Sequence, residues 1–479
     1  MSTEEARLEL HAARVREELA LLDYPRRPWM PARRATSGQP VFDVVIVGAG
    51  QSGLAAAFGL SREKVGNVLV VDQNPLDRAG PWLNFARMRT LRTPKYLTGP
   101  DLGVPSLTPA AWYEAQHGAG SWEAMGLIPK EMWAAYLAWY RRVLNIPVRP
   151  DTRVGALSWN ERETAWEVPC TPARDADAGA ASETLLARRV VLATGIDGSG
   201  QWEVPALIRD GLPQRLYAHT RQDIAFDALV GKRVAVLGAG ASAFDNAATA
   251  LDRGAREVVL CFRRHELVNV NAYRWAEFVG FLRHLGDLPD ADKWRFMRQI
   301  VKMGQLPPAD TLQRARAHPG FRLHADCAWR AVEARGDVVT IRTTSGETHE
   351  VDFVIVGTGF VTDLRLRPEL RLVETHIARW VDRFQPPVGE DQGAEDLLRH
   401  PYLGPGFEHT EKVPGAAPYL RYLYNYTFGC LLSLGFGGAS ISGMKYSIPR
   451  LVGGITSSFF VEDRQAHFDS LRTFAEAEF

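Results

Sequence analysis

The stretch that decides the fold is Phe42-Asp-Val-Val-Ile-Val-Gly-Ala-Gly-Gln-Ser-Gly53. Its β-prone apolar residues run directly into the pattern G-x-G-x-x-G, formed by Gly48, Gly50 and Gly53, and residues 54–60 are typical of a helix. A strand, a glycine turn and a helix in this order predict a dinucleotide-binding unit. The first glycine allows the tight turn, the second admits the diphosphate, and the third lets the helix close on the strand.

A second strand is predicted at residues 67–72, and it ends in an acid that we expect to bind a ribose hydroxyl. The diphosphate is expected at the positive end of the helix dipole. The residues predicted to bind the cofactor in this unit are Gly48, Gly50, Gln51, Ser52, Gly53, Asp72, Gln73, Trp82, Val154, Thr194, Gly195, Thr358 and Gly359.

The same plan begins again at residues 231–243, where a strand leads into Gly238, Gly240, Ser242 and Ala243. The next predicted strand, residues 257–262, is followed by Arg263-Arg264 instead of an acid. A carboxylate at this position would repel a ribose 2′-phosphate, whereas paired guanidinium groups bind one. The second unit is therefore predicted to bind NADPH in preference to NADH; a solvated strand end is the alternative interpretation of the two arginines.

Two nucleotide-binding units with opposite charges at the strand ends predict two ligands, FAD on the first unit and NADPH on the second. The alternative is that one unit is only a fold element. We expect an α/β fold with two Rossmann-like, three-layer dinucleotide-binding domains, the second inserted in the first, together with β-meanders and a helical insertion. The expected division is an N-terminal helix and linker at 1–40, an FAD-binding domain at 41–204 plus 350–479, and an NADPH-binding domain at 205–349 with the helical insertion 265–318.

Composition excludes several classes of function. The formal net charge is zero, so no overall field favours nucleic acid or an acidic membrane. The start of the chain lacks the features of a signal peptide, and no apolar window of about 18 residues predicts a membrane span. The four cysteines are widely separated without C-x-x-C spacing, which predicts no metal site, no redox disulfide and a cytoplasmic location. The oligomeric state stays open.

Aromatic residues are concentrated in two segments, 106–139 and 265–303. An insertion as long as 265–318 is typical of a substrate cavity or lid. These segments favour a small-molecule substrate of apolar or aromatic character, although a hydrophobic core has the same composition.

The order of these motifs, with Gly80-x-Trp82, Ala193-Thr-Gly195 and Gly357-Thr-Gly359 between and after the glycine loops, resembles the flavin-containing monooxygenases. This group includes Baeyer–Villiger and N-hydroxylating enzymes. The resemblance covers residues 42–460 and implies that NADPH reduces FAD, which then traps O2 as a C4a-(hydro)peroxyflavin. One oxygen atom would then be inserted into a small organic substrate by N- or S-oxygenation, N-hydroxylation or Baeyer–Villiger chemistry.

The chain departs from the family pattern at two places. The motif F-x-G-x-x-x-H-S falls on residues 213–220, where only His219 and the hydroxyl of Thr220 match. A T-N-S-K-like segment aligns with residues 91–95 and puts Arg92 at the asparagine position. Arg92 is thus the candidate for stabilising negative charge on a flavin peroxide, and His219 for contacting the nicotinamide; a structural role is the alternative for both. An NADPH-dependent flavin reductase without oxygen insertion is the alternative function.

Overall fold

The structure is a computed structural model, and it describes residues 3–97, 99–173, 182–390 and 393–479. In chain order, its strands in the first half are β1 Val41–Val47, β2 Val68–Val71, β3 Val148–Arg149, β4 Thr152–Val154, β5 Ser158–Asn160, β6 Ala165–Pro172, β7 Glu183–Leu192, β8 Gly200–Trp202 and β9 Tyr217–His219. Those that follow are β10 Arg233–Leu237, β11 Glu257–Cys261, β12 Phe321–His324, β13 Trp329–Arg335, β14 Val338–Thr343, β15 Thr348–Val351, β16 Phe353–Val356, β17 Phe360–Thr362 and β18 Leu423–Asn425.

The helices alternate with these strands. They are α1 Thr3–Leu21, α2 Gln51–Arg62, α3 Pro109–His117, α4 Ser121–Ala124, α5 Lys130–Val143, α6 Ala206–Gly211, α7 Ala241–Asp252, α8 Ala272–Trp275, α9 Val279–His284, α10 Asp290–Met303, α11 Ala309–Arg316, α12 Glu395–Leu398, α13 Leu431–Leu434, α14 Met444–Glu462 and α15 Arg464–Arg472. Among the described residues, no helix is both long enough and apolar enough to cross a membrane.

The first sheet is organised around β1, which is parallel to β2 on one side and to β7 on the other. β3 extends the sheet beyond β2, and β18 returns from the C-terminal part of the chain to pair with β7. Nearly every residue of β1 is buried, as expected for a central parallel strand covered on both faces. An antiparallel meander of β4, β5 and β6 is attached to β7 through β6.

α2 packs against α14 at a position where a small residue is required. A Cβ on Gly59 would lie 2.8 Å from the Cγ2 of Val452 and 3.2 Å from the Cγ2 of Ile448. The close approach of the two helices therefore depends on glycine at this position, and it brings the C-terminal part of the chain onto the first unit.

The second sheet is parallel, with the strand order β12-β11-β10-β16-β9. A three-stranded antiparallel sheet, β13-β14-β15, lies between β12 and β16 in the chain. The expectation of an α/β fold with two dinucleotide-binding units and meanders is confirmed. The expected domain boundary at residues 349/350 differs from the strand pairing, because β16 hydrogen-bonds to β10 and therefore belongs to the second sheet. The remaining domain division stays a prediction.

The two aromatic segments have different environments. Trp112, Trp122, Trp133, Tyr136 and Trp139 are buried in one cluster with the first unit, so the aromatic residues of 106–139 form core. In the insertion 265–318, which holds α8 to α11, part of the aromatic surface is open. The rings of Trp275 and Phe296 stack with centroids 6.0 Å apart, and the Trp275 side chain is 55% exposed.

Candidate active site

The first glycine loop lies between the end of β1 and the start of α2. Gly48 has a φ of 111°, and a Cβ built there would lie 2.5 Å from the carbonyl oxygen of Ala193. A Cβ on Gly53 would collide with the carbonyl oxygen of Gly48. Gly50 differs, because the nearest atom to an added Cβ is the Cα of Gly80, at 3.7 Å. Chain packing therefore requires the first and third glycines, whereas space stays open beside the second.

Asp72 follows β2 and is buried beside this loop. Its Oδ2 accepts a hydrogen bond from the backbone N–H of Ala49 at 2.7 Å, and its Oδ1 accepts one from that of Asn74, also at 2.7 Å. Burial raises the pKa of Asp72, and the two backbone N–H groups oppose the shift. A carboxylate has about four acceptor sites. Asp72 therefore holds the glycine loop in place and keeps lone pairs that a ribose hydroxyl can use.

Two buried polar atoms beside the loop lack a hydrogen-bond partner in the described part of the protein, and FAD could supply one. The Nε1 of Trp82 and the Oγ1 of Thr194 have no hydrogen-bond partner among the described residues. The ring of Trp82 lies against Gly80, the neighbour of Gly50, and Thr194 is followed by Gly195 in a left-handed conformation with a φ of 87°. An unpaired buried polar group costs about 1–3 kcal/mol. A polar ligand that pairs with both atoms fits this site, and the diphosphate and sugar of FAD are such a ligand.

Gln51 and Ser52, at the start of α2, make contacts within the protein. The Oε1 of Gln51 accepts a hydrogen bond from the Nε1 of Trp133 at 3.1 Å, and the hydroxyl of Ser52 donates to the carbonyl oxygen of Gly438. These bonds join the start of α2 to the aromatic core and to the C-terminal part of the chain.

The other predicted residues of the first unit lie around its edge. Gln73 is exposed, and Val154 is the last residue of β4. The hydroxyl of Thr358 donates to the carbonyl oxygen of Glu203 at 2.7 Å, and Gly359 is exposed with a φ of 84°. Their contacts with a cofactor remain predictions.

The second glycine loop repeats this geometry between β10 and α7. Gly238 has a φ of 115°, and a Cβ there would collide with the carbonyl oxygen of Gly357. Gly240 faces open space, since the nearest atom to an added Cβ is the Oε1 of Gln305 at 3.8 Å. Ala243 stands at the position of the third glycine. Its methyl group packs against Gly357, where an added Cβ would lie 2.7 Å from the Cβ of Ala243, so the close approach depends on glycine at 357.

The predicted phosphate-binding residues of the second unit are on its surface. Ser242, Arg263 and Arg264 are exposed, and the two arginines follow β11. The Nη1 of Arg264 donates to the carbonyl oxygen of Met303 at 3.3 Å. Next to it is an open cavity of about 310 Å³, lined by Arg264, Met303 and residues 266–270. Two exposed guanidinium groups at a strand end are suited to an anionic phosphate.

His219 ends β9 and is buried against Trp202, with ring centroids 5.1 Å apart and an angle of 23° between the planes. Its Nδ1 accepts a hydrogen bond from the backbone N–H of Arg221 at 3.1 Å, whereas its Nε2 has no partner in the described part of the chain. Burial lowers the pKa of His219 to about 4, so the imidazole is neutral at neutral pH. A neutral ring with a free nitrogen can bind a ligand or simply pack.

Arg92 forms an ion pair with Asp245 of α7. Asp245 is buried, and it also accepts a hydrogen bond from the hydroxyl of Thr311 at 3.0 Å. The guanidinium predicted to stabilise charge on the flavin is thus paired with a carboxylate of the second unit in this structure.

Arg92 belongs to an arginine segment, which we define as residues 87–92, and the other arginines of this segment were not identified from the sequence. Besides Arg92, Arg87 lies 3.7 Å from a carboxylate oxygen of Asp223, and the Nη2 of Arg89 lies 2.6 Å from one of Asp252. Three arginines within six positions are the signal in the sequence, but their acidic partners are distant in the chain. This segment connects the two nucleotide-binding units by charge.

Comparison with known proteins agrees with the fold and identifies the family. The family described as pyridine nucleotide-disulphide oxidoreductase matches residues 42–280. A FAD-dependent urate hydroxylase of Xanthomonas campestris pv. campestris is 46% identical over 465 residues, which cover 97% of this chain and 96% of the relative.

Two solved structures share the fold. The ornithine hydroxylase of Pseudomonas aeruginosa has a TM-score of 0.67 at 15% identity, covering 87% of this chain and 99% of that one. The ornithine N-hydroxylase of Kutzneria sp. 744, solved with reduced FAD, NADP+ and ornithine, has a TM-score of 0.65 at 16% identity, covering 88% and 100%. The nearly full-length identity to a FAD-dependent hydroxylase, together with two glycine loops of the required geometry, shows that this chain belongs to the family of FAD-dependent monooxygenases.

Proposed function

We propose that this enzyme adds one oxygen atom to urate, using FAD, O2 and electrons from NADPH. The observation that carries the proposal is the 46% identity to a FAD-dependent urate hydroxylase along nearly the full length of both chains. The ornithine hydroxylases are only 15–16% identical, so they support the fold and not a substrate. Urate is a planar, polar heteroaromatic compound, so this proposal keeps the aromatic character expected for the substrate and abandons the apolar one.

The first unit would hold FAD. The open space beside Gly50 would admit the diphosphate, and the unpaired atoms of Trp82 and Thr194 would bind its polar groups. The bound flavin supplies the oxygen chemistry, and the protein positions it and excludes water.

All four cysteines are free thiols, which supports our further expectation that the enzyme works in the reducing cytoplasm.

The second unit would hold NADPH. The space beside Gly240 repeats that beside Gly50, and Arg263 and Arg264 would bind the 2′-phosphate that distinguishes NADPH from NADH. His219 would meet the nicotinamide region as a neutral imidazole that donates a hydrogen bond from its Nε2–H, because its Nδ1 accepts one from the backbone.

Arg92 remains our candidate for stabilising the negative charge of a flavin peroxide, and it lies where the two units meet. Its pair with Asp245 keeps the guanidinium at this junction. Arg87 and Arg89 lie at the same junction, and each is close to an aspartate of the second unit, so the arginine segment would join the two units through charge pairs.

The proposal is tested with purified enzyme loaded with FAD. Urate should accelerate NADPH consumption and O2 uptake in equal amounts, and the product should gain one oxygen atom by mass spectrometry. Ornithine and lysine serve as comparison substrates because the fold neighbours include enzymes that act on such amines. Acceleration by an amine and not by urate would refute the choice of substrate.

The reductase alternative predicts a different balance of products. If NADPH is oxidised and all the O2 taken up is recovered as hydrogen peroxide, with urate unchanged, the enzyme transfers electrons without inserting oxygen. The Gly50→Ala variant is the control: because it should bind FAD more weakly, both reactions should slow together when FAD is limiting.

A further inference from the structure

Metal-ligating side chains meet at the carboxyl ends of β11 and β12, next to the second glycine loop, since the carbonyl oxygen of Cys261 accepts a hydrogen bond from the backbone N–H of Gly238 at 2.9 Å. In the described part of the chain, the ligand atoms of Cys261, Cys327 and His349 lie within 4.8 Å of one another. Those of His324, Glu347 and the same His349 also lie within 4.8 Å of one another. The two sets share one imidazole and therefore form a single cluster of five side chains.

The strand pairing explains why these residues meet. Cys261 and His324 are the last residues of β11 and β12, and they are register partners. Cys327 is held at the end of β11 because its backbone N–H donates to the carbonyl oxygen of Phe262 at 2.9 Å. His349 lies on β15 of the antiparallel sheet. The cluster thus spans the junction between the parallel sheet and the three-stranded sheet.

The chemistry of these groups is that of a soft metal site. Cys261 and Cys327 are fully buried, and the Nε2 of His349 is buried without a hydrogen-bond partner among the described residues. Burial, together with the nearby His324, lowers the pKa of His349 and favours the neutral imidazole that binds metals. A hydrogen bond between the two thiols lowers the pKa of Cys261 and raises that of Cys327, so the two sulfur atoms are adjacent.

The two sheets pack through an apolar cluster in which Ala235 and Val354 meet Val339 and Val351. Among the described residues, the separate hydrophobic cluster around the two thiols is small, with Val259, Cys261 and Cys327 as buried members and Trp329 packed against it. A cross-link between β11 and β15 would therefore add to the contacts that join the two sheets. A bound metal supplies such a cross-link, as in small metal-stabilised domains.

We propose that Cys261, Cys327 and His349 bind a zinc ion, with His324 as the fourth ligand. Two sulfurs and two imidazole nitrogens are a ligand set of structural zinc. With Zn–S of about 2.3 Å and Zn–N of about 2.0–2.1 Å, the ligand atoms of a tetrahedral site are roughly 3.3–3.8 Å apart. The atoms of the three central ligands would therefore move together by at most about 1.5 Å.

The remaining side chain, Glu347, suits the second shell of such a site. Its Oε2 is 3.5 Å from the Nδ1 of His324 and 3.7 Å from the Nε2 of His349. A carboxylate that accepts a hydrogen bond from the non-ligating nitrogen of a histidine orients the ring, so Glu347 would orient His324 through its Nδ1 and leave the Nε2 of both histidines to the ion. On binding, the two thiols release their protons to solvent and the ion is held as Zn²⁺ by two thiolates, with no change of oxidation state.

The test uses the full-length holoenzyme, purified under reducing conditions without chelator. We expect about one zinc per chain by elemental analysis. After removal of zinc, Co²⁺ added to the wild-type chain should give the thiolate-to-metal charge-transfer absorption that only cysteine-bound cobalt shows. Neither measurement requires turnover, so failure of the proposed urate chemistry would leave them unaffected.

Variants then locate the metal. Cys261→Ser and Cys327→Ser should each lower the zinc content at least tenfold, whereas Cys170→Ser, a buried free cysteine of the first unit, should retain it. Absence of zinc together with absence of the cobalt absorption in the wild-type chain would overturn the proposal, whether or not the variants fold. Zinc that persists in both cysteine variants, or a Cys261–Cys327 disulfide in the purified enzyme, would also overturn it.

Discussion

The first two glycines of the first loop should have different roles: Gly48 is needed for chain packing, and Gly50 for cofactor binding. In Gly48→Ala, the new methyl group would lie 2.5 Å from the carbonyl oxygen of Ala193 and 2.9 Å from its carbonyl carbon, both backbone atoms. The residue also has a φ of 111°, which an alanine rarely adopts. Because β1 and β7 are paired in register at this point, the obstructing carbonyl cannot move independently of the sheet.

The cost can be estimated from two contributions. A left-handed conformation costs a residue with a Cβ about 1–2 kcal/mol. Forcing an extra methyl group into a packed site costs typically about 1–3 kcal/mol. Gly48→Ala should therefore lower the free energy of unfolding by about 2–5 kcal/mol, even in the protein without FAD.

Gly50→Ala is the matched variant. Gly50 has a φ of −70°, and the nearest atom to an added Cβ is 3.7 Å away, so alanine should be tolerated in the chain. The methyl group would instead occupy the space expected for the diphosphate. We expect the stability of the FAD-free protein to change by less than about 0.5 kcal/mol. The FAD dissociation constant should rise at least tenfold, which corresponds to about 1.4 kcal/mol.

Denaturant unfolding of the FAD-free proteins and titration of flavin fluorescence measure the two effects separately. The reasoning is refuted if Gly50→Ala loses as much stability as Gly48→Ala. It is also refuted if Gly50→Ala binds FAD as tightly as the wild type, since the open space would then not be the diphosphate site.

Three further predictions concern charged and titratable groups. The double variant Arg263→Ala with Arg264→Ala should raise the KM for NADPH roughly tenfold or more, and that for NADH little, because each lost charge-assisted bond costs about 1.5–3 kcal/mol. Asp245→Ala should lower the free energy of unfolding by about 1–3 kcal/mol, because it leaves Arg92 without its partner. Burial lowers the pKa of His409 to about 3 from 6.5, so protons favour the unfolded chain below pH 6.5. Stability should fall by about 2 kcal/mol on going from pH 6.5 to about pH 5, and His409→Leu should remove much of this fall.

Each of these has its own control. For the arginine pair, Arg330→Ala with Arg335→Ala changes the same charge on β13 and should leave both KM values unchanged. For His409, replacement of the exposed His376 by leucine should leave the pH dependence as it is. An unaltered NADPH preference, or an acid sensitivity that His409→Leu does not change, would contradict the respective prediction. For Asp245, wild-type stability in Asp245→Ala would show that the ion pair contributes nothing.

Local patterns in the sequence were sufficient for the two nucleotide-binding units. Each glycine loop follows a buried strand and precedes a helix within a dozen or so residues, and such short-range order is visible without a fold. The contrast between Asp72 and Arg263-Arg264 is equally local, because each side chain follows a predicted strand. These features were enough to predict the α/β fold with two nucleotide-binding units, whereas the flavin monooxygenase activity followed from the resemblance of the motif order to a known family.

Only the tertiary structure decided which side chains from distant parts of the chain meet. Arg92 pairs with Asp245 because the two units pack together, and strand pairing brings β16 into the second sheet. The cysteines, whose spacing in the sequence indicates no metal site, come together at Cys261 and Cys327 because parallel strands align their ends. Contacts of this kind depend on sheet register and on the packing of one unit against the other, and neither is encoded in a short stretch of residues.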